Sequence, residues 1–149
     1  MGILVLKSNG VSITEISFAE ENLQQQQPCE VLEDCKMQLE RYFAGDLMEF
    51  DLPLAPEGTE FQQKVWAELL KISYGETITY MDLAGRLGDP KCIRAAGTAN
   101  GKNPIAIVIP CHRVIGAGNK LTGYAGGIWR KKLLLELEIK NNPSKRTLF

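Results

Sequence analysis

The chain has a single histidine, no surplus of either charge (17 basic residues face 18 acidic ones), and no apolar stretch approaching the roughly 18 residues needed to cross a bilayer. Each lack closes off a class of function. One histidine cannot complete a zinc set, and Cys29 and Cys35 have no second pair at ligand spacing, so no metal is expected. Gly97 to Lys102 lacks the spacing and the Ser/Thr of a phosphate-binding loop, and Gly116-Ala117-Gly118 is not followed by a dinucleotide-binding pattern. No cofactor is therefore expected. The opening Met1 to Lys7 is too short, and has no basic n-region, for a secretory leader. Cys29, Cys35, Cys92 and Cys111 then read as reduced thiols of a soluble cytoplasmic protein with no membrane partner. There is no internal repeat.

At 149 residues, 44% of them apolar, the chain is large enough for one ordinary domain or two small packed lobes. Its charge is unevenly spread. Residues 1–75 carry 5 basic and 13 acidic side chains, net −8, whereas residues 76–149 carry 12 basic and 5 acidic, net +7. An acidic front half joined to a basic back half points to a polyanion bound by one face.

Ile3 to Leu6 and Val11, Ile13, Ile16 and Phe18 read as two strands around an Asn9-Gly10 two-residue hairpin turn, and Glu21 to Pro28 as a loop. Val31, Leu32, Cys35, Leu39, Tyr42 and Phe43 recur at helical spacing and stop at Gly45. Phe50 to Gly58, with Pro53 and Pro56, connects two lobes, 1–52 and 53–149. Thr59-Glu60-Phe61-Gln62 fits a capping box before a core helix faced by Phe61, Val65, Trp66, Leu69 and Leu70. Thr79 caps a short helix through Leu87 that Gly88 closes, and Asp89 with Pro90 starts another that runs to about Asn100. Two short helices separated by a glycine turn make a helix-turn-helix candidate. Ile105 to Ile109 reads as a buried extended run, Gly116 to Gly127 as a glycine-rich loop, and Ile128 to about Lys140 as a terminal helix with Leu133, Leu134 and Leu137 inside.

Pro110-Cys111-His112-Arg113-Val114 puts a nucleophile beside the only histidine. A free thiol is mostly protonated at neutral pH, and an imidazole nearby, directly or through one water, raises the reactive fraction. Successive side chains of an extended segment face opposite ways, so a bridging water is the simpler arrangement; the alternative is a packed thiol beside a hydrogen-bonded histidine. A histidine used as a base needs a carboxylate to orient it, and Glu136 and Glu138 both qualify. Arg94, Ala95, Ala96, Gly97 and Ala99 form a slim helix with one long cation. An ordinary helix is about 10–12 Å across and the B-DNA minor groove only about 6 Å wide, so a helix entering that groove must be lean; close helix packing is the other reading. Lys91, Lys102, Arg113, Lys120, Arg130, Lys131 and Lys132 are candidates for phosphate contacts.

Taken together, Pro110-Cys111-His112-Arg113-Val114, Asn103-Pro104, the Arg94-Ala95 helix, Thr79-Tyr80-Met81-Asp82-Leu83-Ala84 and Thr122-Gly123-Tyr124-Ala125-Gly126-Gly127 closely resemble the alkylguanine-DNA alkyltransferases. The resemblance runs from about Phe61 to Glu138; the front third matches in lobe size and pattern only. It implies an α/β protein: a small ribonuclease-H-like lobe followed by a helical, winged-helix-like lobe carrying the helix-turn-helix. It further implies that Cys111 accepts an alkyl group from the oxygen-6 of guanine, with His112 acting through a water and Glu138 orienting it. Asn103 would tie the helix-turn-helix to the active-site segment. Arg94 would fill the space left by a flipped nucleotide, with Ala95, Ala96 and Gly97 in the minor groove of double-stranded DNA. Tyr80 would push the phosphate chain and hydrogen-bond the guanine, while Val114, Tyr124, Ala125 and Gly126 would line its pocket. The same resemblance implies a monomeric, single-turnover repair protein. Two rival readings are a damage sensor with an inert thiol and a thiol hydrolase acting on a small molecule.

Overall fold

The computed structural model describes residues 1–20, 27 and 29–142. Apart from residue 27, the loop expected between Glu21 and Pro28 lies outside the described residues. β1 (Ile3–Ser8) and β2 (Ile13–Ala19) pair antiparallel, from Ile3 opposite Ala19 to Lys7 opposite Glu15. The turn between them is wider than the two residues expected. The Asn9 carboxamide oxygen accepts from the amides of both Val11 and Ser12, and this local bonding holds a broader loop in which Gly10, at φ +93°, supplies the left-handed residue. α1 (Glu30–Phe43) buries Cys35, Leu39 and Tyr42 on one face.

β2 is the seam of the molecule. On it the Ile13 amide donates to the Pro53 carbonyl and the Ala55 amide to the Ile13 carbonyl, while Ile16 exchanges the same pair of bonds with Pro104 and Ala106. The connection between lobes and the segment leading to Cys111 are thus both added to the front sheet as short parallel bridges. A single core results, in which Ile13, Ile16, Leu39 and Tyr42 pack with Val65, Leu69, Ile105 and Leu134.

In the back half, α2 (Glu60–Leu69) begins with the expected capping box, Thr59 and Gln62 each bonding the other's backbone. β3 (Ile78–Thr79) leads into α3 (Tyr80–Arg86), capped in the same way by Thr79 and Asp82. The Asp89 carboxylate then accepts from the Lys91 amide, and a 3-10 turn with Pro90 first opens α4 (Ile93–Gly101). α3 and α4 form the helix-turn-helix. The Trp66 indole donates to the Ala99 carbonyl at 2.9 Å and ties α2 to α4. β4 (Val114–Ile115) runs parallel to β3, and α5 (Ile128–Asn141) closes the chain's described part.

Three expectations need correction. Phe61 and Leu70 are exposed, so the buried stripe of α2 is narrower, Val65, Trp66 and Leu69. Leu133 is exposed and Leu135 buried, because α5 turns inward the face that carries Lys131, Leu134 and Glu138. Ile105 to Ile109 is buried but not extended: after the bridge at Ile105 the chain turns, with Ile107 at φ +71°, a left-handed conformation that a β-branched residue adopts only under constraint. No described helix is long and apolar enough to cross a membrane.

Candidate active site

The turn at Ile107 redirects the chain so that Cys111–Arg113 forms one 3-10 turn, closed by the Arg113 amide on the Pro110 carbonyl. With three residues per turn, successive side chains point about a third of a circle apart, in place of the alternating faces expected of an extended segment. Cys111 enters a cavity, and His112 and Arg113 both reach α5.

Glu138, which is fully buried, receives them. Its Oε2 lies 2.7 Å from His112 Nε2, and Arg113 donates Nε to Oε1 at 2.8 Å and Nη2 to Oε2 at 3.0 Å. The Tyr42 hydroxyl donates to Oε2 at 2.6 Å and the Gly75 amide to Oε1 at 3.2 Å. Burial opposes the charged carboxylate, but His112 and the Arg113 guanidinium outweigh it and hold Glu138 well below the usual carboxylate range. Glu136, the other candidate, is exposed and lies 3.8 Å from Lys132, so the choice between the two glutamates falls on Glu138.

Burial pushes the His112 imidazole down, more than Glu138 raises it, and it is neutral at pH 7. A neutral ring whose Nε2–H is given to a carboxylate presents Nδ1 as its acceptor, and Nδ1 has no hydrogen-bond partner among the described residues. Burial also raises the Cys111 thiol, against the Asn103 side chain and the charge of Lys131, which favour the thiolate. The resting thiol is thus held protonated. Asn103 donates to the Ile109 carbonyl at 2.7 Å and accepts from the Ile105 amide at 2.9 Å, bracing the turn before Cys111, and Asn100 of α4 donates to the Cys111 carbonyl at 3.4 Å.

The thiol opens on a cavity of about 210 Å3. Asn100, Asn103, Pro104 and Ala106 form one side, and Tyr124, Ala125 and Gly126 of the glycine-rich loop another. Val114 is fully buried and does not line this space; its carbonyl accepts from Lys131 Nζ at 2.6 Å. Tyr80 also stands outside the lining, half-buried, with its hydroxyl donating to the Thr122 carbonyl at 3.1 Å and its ring 3.6 Å from where a Cβ on Gly97 would sit.

On α4, Arg94 and Ala95 are exposed, Gly97 is half-buried, and Ala96 is fully buried toward the core. Of the cations proposed for phosphates, Lys91, Lys102, Lys120 and Lys132 are exposed. Arg113, Arg130 and Lys131 are not: they are buried and held by internal acceptors, Arg113 by Glu138 and the Ile72 carbonyl, Arg130 by the Met1 and Gly126 carbonyls, and Lys131 by Val114 and Thr122. Burial lowers Lys131 to about 8.

Sequence reasoning missed Tyr42, Arg113 and Lys131 as parts of the site, and Phe18 and the other β2 residues as a third side of the cavity. Arg113 directly follows the Cys-His pair and was open to notice. Tyr42 is 96 residues from Glu138 and has no local signal. Among the described residues, no three His, Cys, Asp or Glu side chains are grouped to hold a metal ion.

Comparison with known proteins agrees along the whole chain. Residues 60–140 match the family profile described as the 6-O-methylguanine DNA methyltransferase DNA binding domain, and residues 1–56 match the ribonuclease-like domain of the same methyltransferase. A Mycobacterium tuberculosis methylated-DNA–protein-cysteine methyltransferase is 60% identical over 112 residues, covering 75% of this chain and 68% of that protein. One from Methanosarcina barkeri is 47% identical over 147 residues, covering 95% and 93%. The crystal structure of the M. tuberculosis O6-methylguanine methyltransferase superposes with a TM-score of 0.86 at 48% identity, over 99% of this chain and 93% of that one. A second M. tuberculosis structure, in complex with DNA, gives 0.85 at 49%, over 98% and 92%.

Proposed function

This chain belongs to the 6-O-methylguanine DNA methyltransferase family and repairs DNA by alkyl transfer to cysteine, and on that premise we propose that Cys111 is the acceptor and that the transfer is irreversible and single-turnover. The observation that carries the assignment is the His112 ring: its Nε2 is engaged by Glu138 while its Nδ1 lacks a partner among the described residues, beside a buried thiol that opens on a cavity. Through one water, Nδ1 takes the Cys111 proton as the sulfur lone pair forms a bond to the alkyl carbon. The carbon–oxygen bond breaks and its electron pair passes to the guanine oxygen. Tyr80, released from the Thr122 carbonyl, gives that base a hydrogen bond or a proton, and the backbone near Ala125 a further contact. Glu138 stabilises the imidazolium formed meanwhile, and Arg113, Tyr42 and Gly75 keep Glu138 charged and in place.

The product is a thioether, which water does not cleave under mild conditions, so one protein repairs one lesion. The target oxygen lies on the pairing edge inside the stack, so the nucleotide is flipped out, at a cost of a few kcal/mol that is smaller for a poorly paired, damaged base. Exposed Arg94 fills the space it leaves, while the small Ala95 and Gly97 let α4 enter the minor groove as a monomer. We place this repair in the cytoplasm.

Titrating an alkylated duplex with increasing protein tests the proposal. Repair should stop when the lesions removed equal the protein added; continued turnover at substoichiometric protein would favour a thiol hydrolase, and binding without transfer a damage sensor.

A further inference from the structure

We propose that Phe18, a front-lobe side chain on β2, sets the size of the alkyl group this site accepts. Gly126 of the pocket loop carries no side chain, which on its own would leave room beyond a methyl. At Gly126 that room is already taken: a Cβ there would lie 2.5 Å from Phe18 Cδ2 and 2.7 Å from Cε2. Phe18 lines the same cavity as Cys111, with Ile16, Pro104, Ala106 and Tyr124 among its other apolar walls.

The ring is fixed in place from two sides. Tyr124 meets it edge to face, with centroids 6.0 Å apart, and the Arg130 guanidinium lies 4.6 Å from its centroid. Arg130 is itself buried and bonded to the carbonyls of Met1, at 2.8 Å, and Gly126, at 3.1 Å. The wall is therefore held in place, because the same arginine that stacks on Phe18 is bonded both to Met1, ahead of β1, and to the pocket loop. A methyl adds little volume next to the sulfur, whereas a larger alkyl group must find its space within a cavity of about 210 Å3 whose largest apolar side chains, with Tyr124, include this ring. The front lobe, which supplies no reacting group, thereby enters the reaction as its size filter.

This inference rests on the alkyl-transfer reading, and the test separates the two. Single-turnover rates are measured for the full chain, Phe18→Ala and Phe18→Leu on one duplex carrying either O-methylguanine or O-benzylguanine. Filling or emptying apolar pocket space discriminates by roughly 10-fold or more, so the benzyl-to-methyl rate ratio should rise by about that factor in Phe18→Ala. Phe18→Leu, which keeps an apolar side chain against Tyr124 and Arg130, should raise the ratio in the same direction by less, and decides the matter should the alanine variant not fold. An unchanged or lower ratio, even with both rates reduced, would make Phe18 a mere support for the loop and overturn the inference. Failure of the unaltered chain on both duplexes would instead remove the alkyl-transfer reading on which it stands.

Discussion

Arg94 and Arg113 sit in the same basic half of the chain, yet they live in opposite environments. Arg113 is 7% exposed and spends its guanidinium on Glu138 and the Ile72 carbonyl; Arg94 stands in water on α4. On the proposed mechanism the first holds the carboxylate that serves the thiol's base, and the second is available to DNA. A count of basic residues adds the two together, and that count overstates the cationic surface of the back half by the buried Arg113, Arg130 and Lys131.

Breaking the inner arginine should have the largest effect. Arg113→Ala leaves the Glu138 carboxylate buried beside a neutral imidazole, and losing one member of such a pair costs about 3–5 kcal/mol; urea unfolding with an unchanged m-value checks it. The same cluster makes the fold acid-sensitive. His112 is pushed below its ordinary 6.5 and Glu138 below its ordinary 4.5, so the native state binds fewer protons than the unfolded chain. The contribution of these two groups should be full above pH 6.5, fall as His112 must charge below that value, and fall further below pH 4.5. A midpoint of thermal unfolding that stays level from pH 7 to 4 would contradict this.

Glu138→Gln keeps the shape and removes the charge that stabilises the imidazolium, so alkylation of Cys111 should slow by about 100-fold or more. The loss should be the same on duplex and on a free alkylated guanine base, since Glu138 faces no DNA.

Arg94→Ala should separate those two substrates. Repair of the duplex should fall by roughly 10-fold or more if Arg94 holds the gap left by a flipped nucleotide, as proposed, and reaction with the free base should be spared. Equal losses would move Arg94 out of the stack. Smallest of all, Lys102→Gln should reduce the salt dependence of duplex binding by about one unit of slope, while Lys131→Gln, at a buried site, should leave that slope as it is.

Local signals made much of this legible. The caps at Thr59, Thr79 and Asp89, the glycine stops, and the helix-turn-helix they delimit depend on neighbouring residues and were readable one after another. Cys111 and His112 stood out by adjacency, and Asn103 through the motif that contains it. What escaped depends on chain crossing chain: which glutamate of α5 faces inward, that Tyr42 closes over it, and that β2 forms part of the cavity wall. Ile105 to Ile109 was misread for a related reason. A run of mostly buried and β-branched residues looks like a strand, whereas the chain bridges to Ile16 at Ile105 alone and then turns at Ile107. The expected pocket role of Val114 has the same origin, since its side chain goes to the core and its carbonyl to Lys131.

The central claim is that Cys111 itself carries away the alkyl group. Intact mass and peptide mapping, after mixing the protein with a duplex containing one O-methylated guanine, test it most directly, with plain duplex and Cys111→Ser as controls. The account predicts one added methyl per chain, confined to the Cys111 peptide and absent from both controls. A methyl on Cys29, Cys35 or Cys92, or a repaired duplex with the protein's mass unchanged, would contradict it.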